Sequence, residues 1–438
     1  MVLHTLPNGA RLLAIPMPHV QSASVGVFLR VGSRDETPAN NGISHVLEHM
    51  AFKGTTTRSV QAINLDAERL GADVNAFTGK DTTAYFMTGL GRHAEQLTRM
   101  TADIVLNSTF PEAELQRELD VIRQEAIEYE EDPEDSANEL LDRAVWGEDP
   151  MGMPIIGTVE NIEGFTRQDL VDHVRSHYIA EKAVVVAAGN FDVEAWVTLA
   201  TKLFSSMPCS ADLAASRVPP AAAYVGHAVV KRFTQVSQVF LNIAYPVAPA
   251  RPEEISQQRW RLAAALAANL FGGGMSAPLV DVVREQLGLA YTAHATIDSG
   301  DAWANLVVHA VTTPDKLDAL VAATGELLRA QAAAIDPIHL ERAKNQLTVS
   351  RVRSAERTYA TMEQAVEELF ASGTVTPLDD AIALIDAITS EEVRMVFARM
   401  LDNPPALAMT GKGVNAKAAR QLAARLPGLP VSSLLRIS

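Results

Sequence analysis

The sequence has one cysteine, Cys209, among 438 residues. An intrachain disulfide and a cysteine-based zinc site are therefore excluded, and a reducing compartment is the expected setting. Basic charge is also short. There are 37 Lys and Arg against 53 Asp and Glu, a formal net charge of −16. That balance disfavours nucleic acid or an anionic membrane as a partner, favours solubility, and is compatible with a cationic ligand. Long apolar runs are missing: stretches such as Ala183–Ala188 and Ala263–Ala268 fall far short of the ~20 residues that span a bilayer. The opening Met1–Gly9 has neither the basic nor the apolar region of a signal peptide. A soluble protein is expected, and the alanine-rich composition points to a bacterial cytoplasm.

What remains is an ordinary globular composition, 47% apolar and 21% charged, long enough for two or three domains. The chain repeats itself weakly but in order. Glu68-Arg69-Leu70-Gly71-Ala72 matches Glu285-Gln286-Leu287-Gly288-Leu289. Ala113–Arg117 matches Ile338–Arg342, and Ile162–Thr166 matches Ile385–Thr389. Val184–Gly189 matches Ala406–Gly411. Between the copies, Met207–Tyr224 is rich in Ala, Ser and Pro, the composition of a linker. Two similar domains are expected, 1–210 and 224–438, joined by 211–223.

Within the first copy, Pro7-Asn8-Gly9 separates two short β-rich runs, and Ser22–Val31 reads as a strand. Val74–Phe77 and Thr82–Met87 read as a further strand pair. Helices are expected around His93–Leu106, Glu112–Glu131, Asp135–Trp146 and Arg167–Tyr178, with a return to strand at Val184–Ala188. Segregated strands and helices imply an α+β fold, each domain a mainly antiparallel sheet with helices packed on one face.

The strongest chemical signal is His45-Val46-Leu47-Glu48-His49. On a helix, His45 and His49 leave the same face one turn apart. That spacing suits two imidazoles on one zinc ion, with Glu48 alongside as a general base. This order of residues is the inverted zinc-peptidase motif. Ser44 or Asn41 is expected to cap the helix. A catalytic zinc needs a third protein ligand. Glu118 and Glu125 lie two turns apart on one helix face, and spacing leaves both open.

The chain resembles the pitrilysin and mitochondrial processing peptidase family of zinc peptidases. The resemblance is carried by Gly42–Thr55, by Asn75-Ala76-Phe77-Thr78 with Thr83 and Tyr85, and by Glu118–Glu125. In the second half it is carried by Gly272–Ser276 and Arg284–Tyr291. It implies that Glu125 is the third ligand and that Glu118 orients a ligand histidine. It implies one zinc per active chain and a peptide bound as an added strand along Asn75, Ala76, Phe77 and Thr78. Arg284 and Tyr291 are implied to reach the substrate. Asp135 and Glu139 are implied to accept a basic residue before the cut, although carboxylates also suit a solvated helix start. The implied enzyme is an endopeptidase acting on short or unfolded peptides in a closed chamber, built by a homodimer or by a heterodimer with a related subunit. The alternative is a non-catalytic partner subunit. Aligning Phe52 with Phe271 puts Ala264, Ala267 and Ala268 in place of His45, Glu48 and His49, so the second copy lacks metal donors.

Overall fold

A computed structural model describes residues 1–210, 222–249, 255–431 and 434–436. The expected linker therefore falls largely outside the described residues. The first half runs β1 (Val2–Thr5), β2 (Arg11–Pro16), β3 (Ser22–Leu29), α1 (Ile43–Met50), α2 (Val60–Leu70), β4 (Asp73–Thr78) and β5 (Thr83–Leu90). It continues α3 (Ala94–Asn107), α4 (Glu112–Glu131), α5 (Pro133–Trp146), α6 (Val159–Gly164), α7 (Arg167–His177), β6 (Ala183–Gly189) and α8 (Val193–Phe204). The second half runs β7 (Ala228–Arg232), β8 (Val239–Pro246), α9 (Gln257–Gly272), β9 (Thr292–Ser299), β10 (Ala304–Thr312) and α10 (Leu317–Ala333). It ends α11 (Pro337–Ala355), α12 (Thr358–Ser372), α13 (Leu378–Ala387), α14 (Ser390–Met400), β11 (Ala406–Gly411), α15 (Ala416–Ala423) and β12 (Leu434–Arg436). No helix among the described residues is long and apolar enough to cross a membrane.

The repeat is visible in the sheets. One has the order β1-β2-β6-β3-β5-β4 and the other β12-β7-β11-β8-β10-β9. In each, the second and third strands pair in parallel, β2 with β6 and β7 with β11, and the three pairs that follow are antiparallel. The fold is α+β with two related sheets, as the pattern of strands and helices implies.

The compact units are not the two continuous halves. One comprises Met1–Ile127, Pro154–Pro219 and Arg353–Val375; the other comprises Glu128–Met153, Pro220–Val352 and Thr376–Ser438. Each sheet carries helices on both faces, where the segregated runs of strands and helices imply a single helical layer. In the first unit, β3 is buried along almost its whole length, which accounts for its unbroken apolar run. One face packs with Leu97, Leu115 and Ile122. The other is covered by α12, whose Met362, Ala365, Val366, Leu369 and Phe370 form one apolar stripe against Leu13, Phe28, Val184 and Val186. In the second unit α5 does the same, packing Leu140, Leu141, Ala144 and Val145 against Val229, Ala244, Val307 and Ala408.

Leu369 is 1% exposed within that stripe. Leu369→Ala removes buried methyl groups and leaves a cavity, so it is expected to lower stability by ~2–5 kcal/mol. Denaturant unfolding checks this, and an unchanged midpoint contradicts the covering role given to α12.

Candidate metal centre

The centre begins with an eight-residue helix divided lengthwise. Ile43, Val46, Leu47 and Met50 of α1 are buried in the core of the first unit. That commitment turns His45, Glu48 and His49 to the other side, where all three are half-buried. The two imidazole rings stand 4.7 Å apart, centroid to centroid.

The start of this helix is held differently from expectation. Neither Asn41 nor Ser44 caps it. Its N-cap is Gly42, at φ 101 with no side-chain cap. The N–H groups at the helix start are met by the buried Glu36, 2% exposed. Its carboxylate accepts from Gly42 N at 2.8 Å, Ser44 N at 2.9 Å and Asn41 Nδ2 at 2.9 Å. Burial pushes the Glu36 carboxyl above its ordinary range, against the pull of these hydrogen bonds. A Cβ on Gly42 would stand 2.7 Å from the Ile156 carbonyl oxygen, so both the backbone angle and the space require glycine. No local sequence pattern marks Glu36, because it serves the helix from outside it.

α4 supplies the carboxylates. Leu115, Leu119, Ile122 and Ala126 bury one face, and Glu118 and Glu125 lie beside that stripe at the centre. Glu125 Oε2 is 3.9 Å from His45 Nε2 and 3.7 Å from His49 Nε2. These separations are too long for hydrogen bonds, yet they suit three donors around one ion. Among the described residues, His45, His49 and Glu125 are the group of three whose ligand atoms all lie within 4.8 Å of one another. Two imidazoles and one carboxylate form the donor set of a catalytic zinc with a position left open. The geometry therefore separates two carboxylates that spacing leaves equivalent.

Glu118 faces the other side of the histidine. Its Oε1 is 3.0 Å from His49 Nδ1, and its Oε2 is 2.6 Å from Lys53 Nζ. Burial would raise its pKa, but the hydrogen bonds from His49 and Lys53 prevail and hold the carboxyl below its ordinary range. A carboxylate on Nδ1 fixes the tautomer that leaves Nε2 free as a donor atom. Lys53 is a residue that sequence reasoning misses. His45 is treated differently: its Nδ1 is buried without a hydrogen-bond partner among the described residues. Burial, and secondarily His49, lowers the His45 pKa to about 4, so its imidazole is neutral.

Glu48 is not among the three clustered donors. Its Oε2 accepts from Thr78 Oγ1 at 2.6 Å. Burial raises its carboxyl above the ordinary range, while the Thr78 hydrogen bond opposes that shift. Thr78 ends β4, the edge strand of its sheet. Asn75 and Ala76 lie on the same strand, and Asn75 Oδ1 accepts from Ala76 N at 2.8 Å. Phe77 packs edge-on to Phe28, with ring centroids 6.2 Å apart.

The other expected site residues belong to the second unit. Asp135 and Glu139 lie half-buried on α5, one turn apart. Asp132 Oδ1 caps that helix by accepting from Glu134 N and Asp135 N. Burial, and then Asp132, raises the Asp135 carboxyl. Arg284 lies in a π-helical turn, Asp281–Gln286, with its guanidinium 5.4 Å from the centroid of the Tyr291 ring. Tyr291 is 80% exposed. Ala264, Ala267 and Ala268 are buried on α9.

Comparison with known proteins gives the family. Residues 11–159 match the model of the insulinase family, peptidase family M16, and residues 164–347 match that of the M16 inactive domain. The chain is 31% identical over 410 residues to a protein of Rickettsia bellii named an uncharacterized zinc protease, covering 93% of this chain and 96% of the other. It is also 31% identical over 413 residues to a Bacillus subtilis protein with the same description, covering 94% and 98%. In fold it is similar to a protease from Helicobacter pylori, at TM-score 0.83 and 19% identity over 94% of this chain and 99% of that one. A chain of Complex III2 from Candida albicans is similar in fold too, at TM-score 0.80 and 18% identity over 96% and 99%. With identity of this degree along more than nine-tenths of its length, the protein is a metallopeptidase of the insulinase family, peptidase family M16.

Proposed function

We propose that the protein is a zinc endopeptidase for short or unfolded peptides, with one zinc ion per active chain held by His45, His49 and Glu125. One observation carries the reading: the Thr78–Glu48 hydrogen bond joins the edge strand β4 to Glu48, which shares α1 with His45 and His49 of the three-donor cluster. When bound, zinc supplies a Lewis acid that polarises a carbonyl and lowers the pKa of water. Glu48 takes a proton from the attacking water and delivers it to the leaving amine. Its raised pKa suits a group that must both accept and release that proton. Glu118, held by Lys53, keeps His49 oriented.

The peptide adds as a strand to the outer edge of β4, using backbone groups that no neighbouring strand satisfies among the described residues. Thr78 then ties the bound peptide's register to the base. Arg284 and Tyr291 position the substrate. A dimer, of two copies or with a related subunit, closes the chamber. The clustering of His45, His49 and Glu125, with Glu48 on the same short helix as the two histidines, favours this reading over a non-catalytic partner role.

Glu48→Gln is expected to keep zinc and fold while peptide hydrolysis falls by roughly 10²–10⁴-fold. Activity within a few-fold of the unaltered enzyme contradicts this mechanism. His45→Ala, His49→Ala and Glu125→Ala are each expected to lose zinc by metal analysis. Full zinc in Glu125→Ala together with loss in Glu118→Ala would exchange the roles of the two carboxylates.

Asp135 and Glu139, in a chain of net charge −16, favour peptides bearing Arg or Lys, an attraction weakened by salt. The double change Asp135→Asn with Glu139→Gln is expected to raise KM for basic peptides and leave neutral ones nearly unaffected. Equal cleavage of matched acidic and basic peptide libraries by the unaltered enzyme contradicts this preference.

A further inference from the structure

A second pair of histidines has the spacing of the first. On α7, Asp169, His173 and His177 follow one another at single-turn intervals, so all three fall near one helix face. The rings of His173 and His177 lie 4.4 Å apart, centroid to centroid, close to the 4.7 Å of His45 and His49. Both line a cavity of about 430 Å³ in the first unit, together with Asn40, Asn161, Asp169 and Asp172.

His173 is 5% exposed, and its Nε2 has no hydrogen-bond partner among the described residues. A buried polar nitrogen left unsatisfied costs ~1–3 kcal/mol, and such an atom calls for a ligand, ion or water. Burial, with smaller effects from His177 and Lys182, lowers the His173 pKa to about 3, so a lone pair is available on the ring.

We infer that His173 and His177 form a second binding site for a divalent transition-metal cation, distinct from the His45–His49–Glu125 centre. Imidazole nitrogens select zinc, nickel or copper over the hard cations magnesium and calcium. Asp169 and Asp172 on the cavity wall favour a cation over an anion. Lys182, which opposes positive charge near His177, is itself 3.4 Å from Asp35. The site is weaker than the first. Three ligand atoms converge among the described residues at His45, His49 and Glu125, whereas α7 offers two imidazoles, with water completing the shell. Affinity therefore follows the order copper above nickel, with zinc below copper. The inference shares no ligand with the proposed peptidase centre and does not rest on it.

The test uses the untagged full chain, loaded with one equivalent of zinc and freed of excess. Nickel is then titrated by calorimetry, with bound metal counted after equilibrium dialysis. The expected result is one equivalent of nickel beyond the zinc, with a rise in Tm because the ion binds the folded state. His177→Ala, at a half-buried position, is expected to weaken that equivalent by ~10-fold or more, since even outer partners of a metal site count for that much. Zinc content and the metal-free Tm stay unchanged. His173→Gln reports the same loss from the buried side. A variant lacking both His45 and His49 is expected to keep the nickel equivalent. Absence of the extra equivalent in the unaltered chain, undiminished binding in His177→Ala, or loss of nickel in the variant lacking His45 and His49 each overturns the site.

Discussion

The chemistry proposed for this protein depends on how one short helix is divided between the core and the donor cluster. Four apolar residues of α1 enter the core of the first unit, and that burial dictates where His45, Glu48 and His49 can point. Eight residues make little more than two turns, too few to be stable alone. The helix is instead held at its start by Glu36, whose buried carboxylate gathers the free N–H groups around Gly42. The carboxylates of α4 then divide the work by position. Glu118 is spent on His49 and Lys53, which leaves Glu125 as the one that faces both Nε2 atoms. Two identical side chains on one helix acquire different chemistry from what surrounds them.

The second copy of the fold shows what the first would be without that division. Its strand order repeats that of the first sheet, but α9 has alanines where donors would be, and they are buried. An alanine face packs closely and holds no metal. In the same copy the half-buried Arg284 lies over the ring of the exposed Tyr291. Each sheet is also roofed on its second face by a helix from the other half of the sequence, α12 over the first and α5 over the second. This exchange ties both halves of the chain into each compact unit.

Much of this was legible in the sequence. The bounds Glu112–Glu131 of α4 match the expected helix, because its apolar spacing and the acidic residues in its first turn agree. β3 and β6 announce themselves through runs of β-branched and small apolar residues. The histidine motif was legible because His45, Glu48 and His49 lie within about one turn of each other on one short helix. What was hidden has a common character: it depends on partners distant in the chain. The stripe on α12 is visible, but its destination, the sheet of the other half, is not. Glu36 serves a helix it does not belong to, and Lys53 matters only because Glu118 folds against it. Spacing cannot rank Glu118 above Glu125, since both are on the same helix face and only the approach of α1 separates them.

The central claim is that His45, His49 and Glu125 hold one zinc ion. The most direct measurement is a crystal structure of the zinc-loaded protein with anomalous data collected on both sides of the zinc absorption edge. The account predicts an anomalous peak bonded to His45 Nε2, His49 Nε2 and a Glu125 carboxylate oxygen at about 2.0–2.2 Å, with Glu118 still on His49 Nδ1. A zinc-replete crystal with no peak there, or a peak bonded to Glu118 in place of Glu125, would contradict it.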